Sequence, residues 1–267
     1  MVRSYSLCDA PHVTDQYHIA VKREADSRGG SASLHEQVRV GDVLRAAPPR
    51  NAVELVAPAK AYLFIAGDIG ITPTLSMIRT LAADELAPPW KLVYLGRDPD
   101  GMAFLDELRG HGKRVTVHYS GGDVAERFDP WPLLEKPNTA ELYCCGPRAL
   151  MEAVRDMTGH WSTQRVHFES FVDGSTPRPD DRPFRVRLAR SGAELDVPVG
   201  TSILAALRAH GCKVSSSCES GSCGSCRTRL LSGTADHRDM VLLPEEMDSQ
   251  IMVCVSRAQG DLLELDL

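Results

Sequence analysis

Four cysteines near the carboxyl end of the chain limit its fold and chemistry more than any other feature. Three of them follow the spacing C-x4-C-x2-C, and 27 further residues separate the third from the fourth; they are Cys218, Cys223, Cys226 and Cys254. The chain has 267 residues and eight cysteines. In a chain of this length, cysteines crowded into one short pattern indicate metal ligands rather than a disulfide framework.

This spacing is typical of plant-type [2Fe–2S] sites, in which thiolates hold the irons. The residues between the first three cysteines are mostly Ser and Gly. Small residues let the backbone wrap a cluster and direct N–H groups at its sulfurs. A structural zinc site is the alternative, although Cys254 stands alone in the apolar segment 251–255, which we expect to be a strand, and zinc ligands usually come in two close pairs. Cys212 lies outside the spacing and is expected to be a small buried residue.

Composition excludes several functional classes. The formal net charge is −6 and 25% of residues are charged. This balance argues against nonspecific binding to nucleic acid or to an anionic membrane. No apolar run is long enough to span a bilayer, and the first residues do not resemble a signal peptide. We therefore expect a cytoplasmic monomer.

The middle of the chain alternates strand and helix patterns, which predicts a doubly wound parallel sheet. Before it, alternating runs at 16–22 and 52–56 predict β-structure; after it comes a Pro-rich linker, then a hairpin and a helix for which Thr201 is the expected N-cap. The predicted strands are 62–66, 91–95, 114–119, 141–145, 166–170, 184–189 and 194–197, and the predicted helices are 74–83 (with Pro73 near its first position), 104–111, 148–157 and 202–210. The predicted domains are 1–56, 57–172 and 184–267, with a linker at 173–183.

Three motifs lie at the predicted carboxyl ends of these parallel strands, where open α/β sheets bind ligands. They are the turn Gly67-Asp68-Ile69-Gly70, the turn Cys145-Gly146-Pro147, and Glu169-Ser170-Phe171. A Gly-x-x-Gly turn taken alone is often only a turn, but here it precedes a helix whose amino terminus would face phosphates. The three together predict a dinucleotide site.

These motifs resemble the nicotinamide domain of the ferredoxin–NADP reductase superfamily. The resemblance implies that Gly67, Gly70 and Thr72 bind the dinucleotide. It also implies that Cys145, with Gly146 and Pro147, lies beside the nicotinamide and that Phe171 lies against a flavin. Thr72, Cys145 and Phe171 are thus the expected residues around the reacting rings, although simple core packing is the alternative for Phe171. Cys145 has no adjacent base and is not expected to act as a nucleophile.

The end of the second strand bears on the choice of nucleotide. Asp98 could accept hydrogen bonds from the ribose hydroxyls and repel a 2′-phosphate, which favours NADH over NADPH. Arg97 argues the other way, unless it is a surface charge paired with Asp98.

The amino-terminal segment contains the pattern Arg3-x-Tyr5-Ser6, which resembles the R-x-Y-S flavin motif of the same superfamily. Tyr5 offers a ring face and Ser6 a hydroxyl, while the loop that follows suits a single phosphate, as in FMN. The expected flavin-binding residues are Arg3, Tyr5, Ser6, Ala20, Val21, Lys22, Arg28, Gly29, Ser31 and Ser33.

Residues 184–267, with the cysteine loop and Asp236-His237-Arg238-Asp239, resemble a plant-type ferredoxin domain of β-grasp fold. The order of flavin, nicotinamide and ferredoxin parts resembles the phthalate dioxygenase reductase family, which includes the vanillate O-demethylase reductases. The resemblance implies FMN, NADH and a [2Fe–2S] cluster as cofactors, and a terminal oxygenase with a Rieske centre as partner. That family's flavin domain is a six-stranded barrel with several strands before R-x-Y-S, so we expect a partial flavin-binding β-barrel here. The alternative is a carrier without flavin, in which only the ferredoxin part functions.

Overall fold

The computed structural model describes residues 3–24, 29–49, 51, 53–171 and 177–267. The chain divides into two compact units, Met1–Glu169 and Ser170–Leu267. We call them the amino-terminal unit and the carboxyl-terminal unit. Within the described part of the chain, no helix combines the length and the apolar character needed to cross a membrane.

A five-stranded, wholly parallel sheet forms the centre of the amino-terminal unit, in the order β3-β2-β1-β4-β5. Its strands follow the predicted ones to within a residue at most ends, and β1 is buried along its whole length because helices or other chain segments cover both faces. The strands are β1 (Tyr62–Gly67), β2 (Trp90–Gly96), β3 (Val115–Tyr119), β4 (Glu141–Cys145) and β5 (Val166–Glu169).

The described residues of this unit form the helices α1 (Gly30–Glu36), α2 (Ile71–Ala82), α3 (Leu105–Arg109), α4 (Trp131–Leu134) and α5 (Arg148–Met157). Helix α2 buries Ile71, Leu75 and Ile78, which share one face at helical spacing. It begins earlier than predicted, so Pro73 is its third residue rather than near its first. Proline is tolerated there because the N–H groups of the first turn have no intrahelical acceptor.

The strand order reverses between β1 and β4, which are hydrogen-bonded neighbours with Ala66 opposite Cys145. From β1 the chain moves outward to β2 and β3, then returns to place β4 on the other side of β1. A reversal of this kind leaves a crevice at the carboxyl ends of the two central strands, where open α/β sheets bind ligands. The two glycine-containing turns follow these two strands.

The amino-terminal segment differs from the sequence prediction. Its predicted strand at 16–22 is reduced to one antiparallel bridge between Leu7 and Ile19, and the described residues 53–56 contain no strand. Alternation marks a face to be buried, but a strand forms only where a neighbour accepts its hydrogen bonds. Around 53–56 that neighbour is a side chain: the Tyr143 hydroxyl accepts from Val56 N–H at 2.8 Å and donates to the Glu54 carbonyl at 2.8 Å. The Ser- and Gly-rich composition of residues 27–33 predicts a loop, but helix α1 begins at Gly30 within it.

The carboxyl-terminal unit is a five-stranded mixed sheet in the order β10-β8-β12-β6-β7, with a two-stranded β11-β9 pair beside it. Helix α6 (Ile203–Ala209) buries Ile203, Leu204 and Leu207 in the core of this unit, as in a β-grasp fold. The strands are β6 (Phe184–Leu188), β7 (Glu194–Val197), β8 (Arg227–Ser232), β9 (Ala235–Asp236), β10 (Gln250–Met252), β11 (Arg257–Ala258) and β12 (Leu262–Leu265).

Two local predictions in this unit were wrong. The N-cap of α6 is Ser202, whose hydroxyl accepts from Ala205 N–H at 3.1 Å, whereas the Thr201 carbonyl accepts from Arg257 at 2.8 Å. Cys254 does not lie within a strand, because β10 ends at Met252 and the chain then turns. A turn can direct the Cys254 sulfur at the cysteine loop, whereas a straight strand would alternate its side chains between two faces.

The segment predicted as a linker contacts the carboxyl-terminal unit through Asp181 and the Arg182 carbonyl; residues 173–176 lie outside the described residues. Asp181 is buried and receives two hydrogen bonds from Arg238, at 2.5 and 3.3 Å. Arg257 is 3% exposed, lies 3.8 Å from Asp181 and donates to the Arg182 carbonyl at 3.0 Å. These buried charges pair with one another, which is the condition for burying them. The second half of the Pro-rich segment is therefore structurally part of this unit.

Candidate functional sites

The two glycine-containing turns of the amino-terminal unit touch each other through their backbones. A Cβ at Gly70 would overlap the carbonyl group of Cys145, and a Cβ at Gly67 would lie 2.7 Å from Pro147 Cδ. Only glycine allows this approach, which brings the amino terminus of α2 against the end of β4. The structure therefore brings together the predicted residues Gly67, Gly70, Cys145, Gly146 and Pro147 at the reversal point of the sheet.

Thr72 lies in the first turn of α2 and is 3% exposed. Its hydroxyl donates to the Ile69 carbonyl at 3.0 Å, which ties the turn to the helix. The hydroxyl oxygen still has lone pairs with which it can accept a hydrogen bond from a ligand. The immediate structural effect of Thr72 is to fix the shape of the turn.

Cys145 is buried at the carboxyl end of β4. Burial raises its pKa well above the usual value for a thiol, and the nearby Glu169 and Cys144 raise it further. The thiol is thus neutral near pH 7. A neutral thiol is a poor nucleophile.

Glu169, which we did not predict as a site residue, lies at the end of the neighbouring strand β5. Its carboxylate accepts a hydrogen bond from the Ser6 hydroxyl at 3.4 Å and acts electrostatically on Cys145. Ser6, Cys145 and Glu169 therefore meet at the edge of the sheet where the strands end. The signal for Glu169 was present in the motif Glu169-Ser170-Phe171, in which only the aromatic residue received a role.

Arg97 and Asp98 are exposed after β2 and do not act as an ion pair in this structure. The Asp98 carboxylate accepts from Gly101 N–H at 3.0 Å and so caps the turn that follows. The aliphatic part of Arg97 lies beside Gly122, whose Cβ would be 3.6 Å from Arg97 Cδ. Both charged groups are accessible to a ligand at this edge.

Several predicted flavin residues contact α1 or the turn at Asp68, whereas Ser6 contacts Glu169 and Arg28 lies outside the described residues. Lys22 forms an ion pair with Asp68, and the Val21 carbonyl lies 2.7 Å from the His35 ring nitrogen Nε2. Glu24 N–H donates to the Ser31 hydroxyl at 3.2 Å. The remaining positions are exposed or half-buried on the same segment: Arg3, Tyr5, Ser6, Ala20, Gly29 and Ser33. Cationic groups, hydroxyls and small residues fit a phosphate-bearing ligand such as FMN.

Phe171 follows β5 and is 46% exposed. A side chain exposed to this extent is not buried in a core.

In the carboxyl-terminal unit, the cysteine loop directs backbone N–H groups at sulfur. Ser220 and Ser222 each donate to Cys218 Sγ at 3.4 Å, and Cys218 N–H donates to Cys223 Sγ at 3.5 Å. The loop can fold this tightly because Gly221 has φ +77° and lies against Asp239 and Val255. Hydrogen bonds of this kind stabilise negative charge on sulfur.

These contacts shift the pKa values of the thiols. Burial raises the pKa of Cys218, but the hydrogen bonds from Ser222 and Ser220 outweigh burial and lower it to about 6. The hydrogen bond from Cys254 lowers the pKa of Cys226, and the same bond raises that of Cys254, its donor. All four predicted ligands are thus brought into one interacting set.

The ligand types and the loop around them suit a two-iron cluster. Among the described residues, no group of three or more His, Cys, Asp or Glu side chains is placed to hold one metal ion. A [2Fe–2S] cluster divides its four cysteines between two irons, so the four sulfurs need not converge on one point. The donor set, the Ser/Gly loop and the N–H groups directed at sulfur all suit such a cluster.

Comparison with known proteins adds independent findings. A family model described as the 2Fe-2S iron-sulfur cluster binding domain matches residues 186–259. The chain is 49% identical to the phthalate 4,5-dioxygenase oxygenase reductase subunit of Pseudomonas putida, over 100% of this chain and 83% of that protein. It is 37% identical to vanillate O-demethylase oxidoreductase, also of Pseudomonas putida, over 100% of this chain and 86% of that protein.

A solved structure is also similar along nearly the whole chain. It is described as phthalate dioxygenase reductase, a modular structure for electron transfer from pyridine nucleotides to [2Fe-2S]. The match has a TM-score of 0.73 and 50% identity, and it covers 99% of this chain and 83% of the other.

Proposed function

The chain belongs to the family of oxygenase reductase subunits that includes phthalate dioxygenase reductase, and on this premise we propose which of its residues bind each cofactor and which partner receives the electrons. Its members, this chain included, are oxidoreductases that transfer electrons from NADH through FMN to a [2Fe–2S] cluster. The single observation that carries the assignment of sites is the contact between the turns after β1 and β4, at the reversal point of the parallel sheet.

The nicotinamide site is assigned to this crevice. Gly67 and Gly70 let the dinucleotide backbone approach the amino terminus of α2, whose N–H groups attract its phosphates. Thr72 and Cys145 bound the space for the nicotinamide ring, and the raised pKa of Cys145 keeps its thiol neutral next to the ring. Asp98 is assigned to the ribose hydroxyls, which favours NADH.

The flavin site is assigned to the amino-terminal segment. Ser6 and Glu169 share a hydrogen bond at the edge of the nicotinamide crevice, so the R-x-Y-S segment borders the place where hydride transfer must occur. FMN supplies the chemistry that converts a two-electron donor into single electrons. The protein contributes orientation and charge: Lys22 with Asp68, and the residues from Gly29 to Ser33 at the start of α1.

The cluster is assigned to Cys218, Cys223, Cys226 and Cys254. These residues hold the iron, while Ser220 and Ser222 N–H groups stabilise charge on the Cys218 sulfur. The assignment of domains follows the same division: 1–56 for FMN, 57–172 for NADH, 173–183 as connection and 184–267 for the cluster.

The electron acceptor is assigned as a terminal oxygenase component with a Rieske centre, for an aromatic-ring oxygenation or an O-demethylation. Reductase subunits similar to this chain are named for dioxygenase and demethylase systems. We infer that the protein works in the cytoplasm as a monomer.

The proposal is tested by the visible spectrum of the purified protein, reconstituted with FMN and iron–sulfide, before and after anaerobic addition of NADH. Bleaching of both the flavin and the iron–sulfur bands is the expected result. A cluster spectrum unchanged by NADH, with no bound flavin, would instead favour a carrier. Zinc without acid-labile sulfide would overturn the assignment of the cysteines. Oxygen uptake on addition of a Rieske oxygenase tests the partner, and gel filtration tests the monomer.

A further inference from the structure

Three polar side chains, two of them flanking the first cysteine of the loop in sequence, are hydrogen-bonded to one another. Arg208, in the last turn of α6, donates from Nη2 to Glu219 Oε1 at 2.9 Å and also to the Ser216 hydroxyl. The Ser216 hydroxyl donates to the same Glu219 oxygen at 2.9 Å. Ser216 precedes Cys218 by two residues and Glu219 follows it directly. We call these three residues the loop clamp.

Glu219 has a backbone conformation that its side chain must support. Its φ is +56°, in the left-handed region that glycine adopts readily and that other residues adopt at a cost. Two hydrogen bonds hold its carboxylate on the clamp. The hydrogen bonds of the Glu219 side chain therefore offset the cost of its positive φ. A glycine at this position would adopt the same φ without strain but would lack these hydrogen bonds.

The conformation of residue 219 sets the direction of the next peptide N–H group. That group belongs to Ser220 and donates to Cys218 Sγ at 3.4 Å. The helix thus reaches the sulfur through a continuous path: Arg208, the Glu219 carboxylate, the Glu219 backbone and Ser220 N–H. No other role that we have described uses Arg208 or Glu219.

We propose that the loop clamp is a positioning device that fixes Ser220 N–H on the Cys218 sulfur and so raises the reduction potential of the cluster and slows its release. An N–H group directed at a ligand sulfur stabilises the extra negative charge of the reduced state. The inference rests on the proposed assignment of Cys218 as a cluster ligand. The clamp acts on the cluster through the loop and leaves the nucleotide crevice unchanged.

The test measures the cluster reduction potential and the rate of iron loss to a chelator in the reconstituted full chain. Arg208→Met removes the clamp, Arg208→Lys keeps the charge but offers one ammonium in place of a planar fork, and Arg190→Met is the control. Arg190 forms an ion pair with Asp266 at 3.0 Å on the surface of the same unit.

Arg208→Met is expected to lower the reduction equilibrium constant about three- to tenfold, where tenfold corresponds to about 59 mV for one electron. Iron loss should accelerate by a similar factor. Arg208→Lys should lie between Arg208→Met and the wild type, because charge alone cannot replace the geometry. Arg190→Met should match the wild type in both measurements. A potential and a release rate for Arg208→Met that equal those of Arg190→Met would overturn the proposal, and so would an Arg208→Lys variant identical to the wild type, since charge would then suffice.

If Arg208→Met does not retain a cluster, its reduction potential cannot be measured, and Glu219→Gly then provides the test. Glycine accepts the left-handed conformation without the clamp, so retention of the cluster there supports a backbone role. Loss from both variants would point to the side-chain charge and contradict the proposal. Failure of the cluster assignment itself is distinguishable, because then the wild type and Arg190→Met would also lack the cluster spectrum.

Discussion

The two units build their cofactor sites in opposite ways. In the amino-terminal unit the site lies where two backbone turns approach each other closely. This approach requires glycine at positions 67 and 70, because a Cβ at either position would overlap the neighbouring turn. In the carboxyl-terminal unit the site is a set of side-chain donors, and the backbone serves it by pointing N–H groups at Cys218. The first site should therefore fail when a side chain is added at one of its glycines, whereas the second should fail when one of its sulfur ligands is removed.

The largest effect is expected from removing a donor, in Cys223→Ser. A serine hydroxyl is a harder ligand than a thiolate and binds the irons of a cluster poorly. The variant should lose NADH-dependent reduction of the cluster, and of cytochrome c through it, while NADH-to-ferricyanide activity remains because it can be fed from the flavin. Visible spectra and the two activities measure this result.

Cys212→Ser is the matched control. Cys212 is half-buried against the core of the same unit and lies outside the ligand spacing, so this variant should keep its cluster. Joint loss of both activities in Cys223→Ser would show that the units are not functionally separable, and the comparison would then fail.

The next largest effect concerns the stability of the carboxyl-terminal unit rather than its cluster ligands. Asp181→Asn leaves Arg238 and Arg257 buried with one carboxylate fewer, so the free energy of unfolding should fall by about 3 kcal/mol. Loss of the cluster absorbance on heating reports this change. The exposed pair Arg190–Asp266 supplies the control, since Asp266→Asn should leave the transition unchanged.

The pH dependence of the same variant gives a second check. Hydrogen bonds from Arg238 outweigh burial and hold the pKa of Asp181 below its usual value. The carboxylate therefore stabilises the fold fully above the unfolded-state pKa of about 4, and this contribution is lost as the pH falls through the lower, folded-state value. The difference in the free energy of unfolding between wild type and Asp181→Asn should have its full value at pH 7 and should decrease below about pH 4. A difference that stays constant with pH would show that Asp181 stabilises by packing.

The variant Gly70→Ala tests the amino-terminal unit by adding a methyl group at one of its two close-contact glycines. The new methyl group would overlap the Cys145 carbonyl, so the two turns must separate. A displacement of about 1 Å at the nicotinamide should reduce NADH-to-ferricyanide activity about ten- to hundredfold, while chemical reduction of the cluster by dithionite stays normal. Gly159→Ala is the control, because its Cβ would make only an ordinary contact at 3.7 Å. Equal activities of the two variants would mean that the turns tolerate separation.

The same contrast explains what the sequence could predict. Cysteine spacing and the alternation of strands with helices are local patterns, so the cysteine loop and β1–β5 could be located within a residue or two. The amino-terminal strands at 16–22 and 52–56 could not, because a strand depends on partners elsewhere, and here Tyr143 takes the place of one. Asp181 was missed because a Pro-rich, charged segment has the composition of a linker, and only the fold shows that Arg238 and Arg257 bury its carboxylate.

The smallest effect concerns the choice of nucleotide, in Asp98→Ser. Serine can keep the cap on Gly101 N–H, so the turn should survive while the negative charge is lost. An exposed charge contributes about 1 kcal/mol at contact distance in water, so the preference of kcat/KM for NADH over NADPH should fall about three- to tenfold. Asp100→Ser removes another exposed charge two residues away and should change the preference less. If both variants shift it equally, the acidic edge acts through its summed charge, and the ribose contact assigned to Asp98 is wrong.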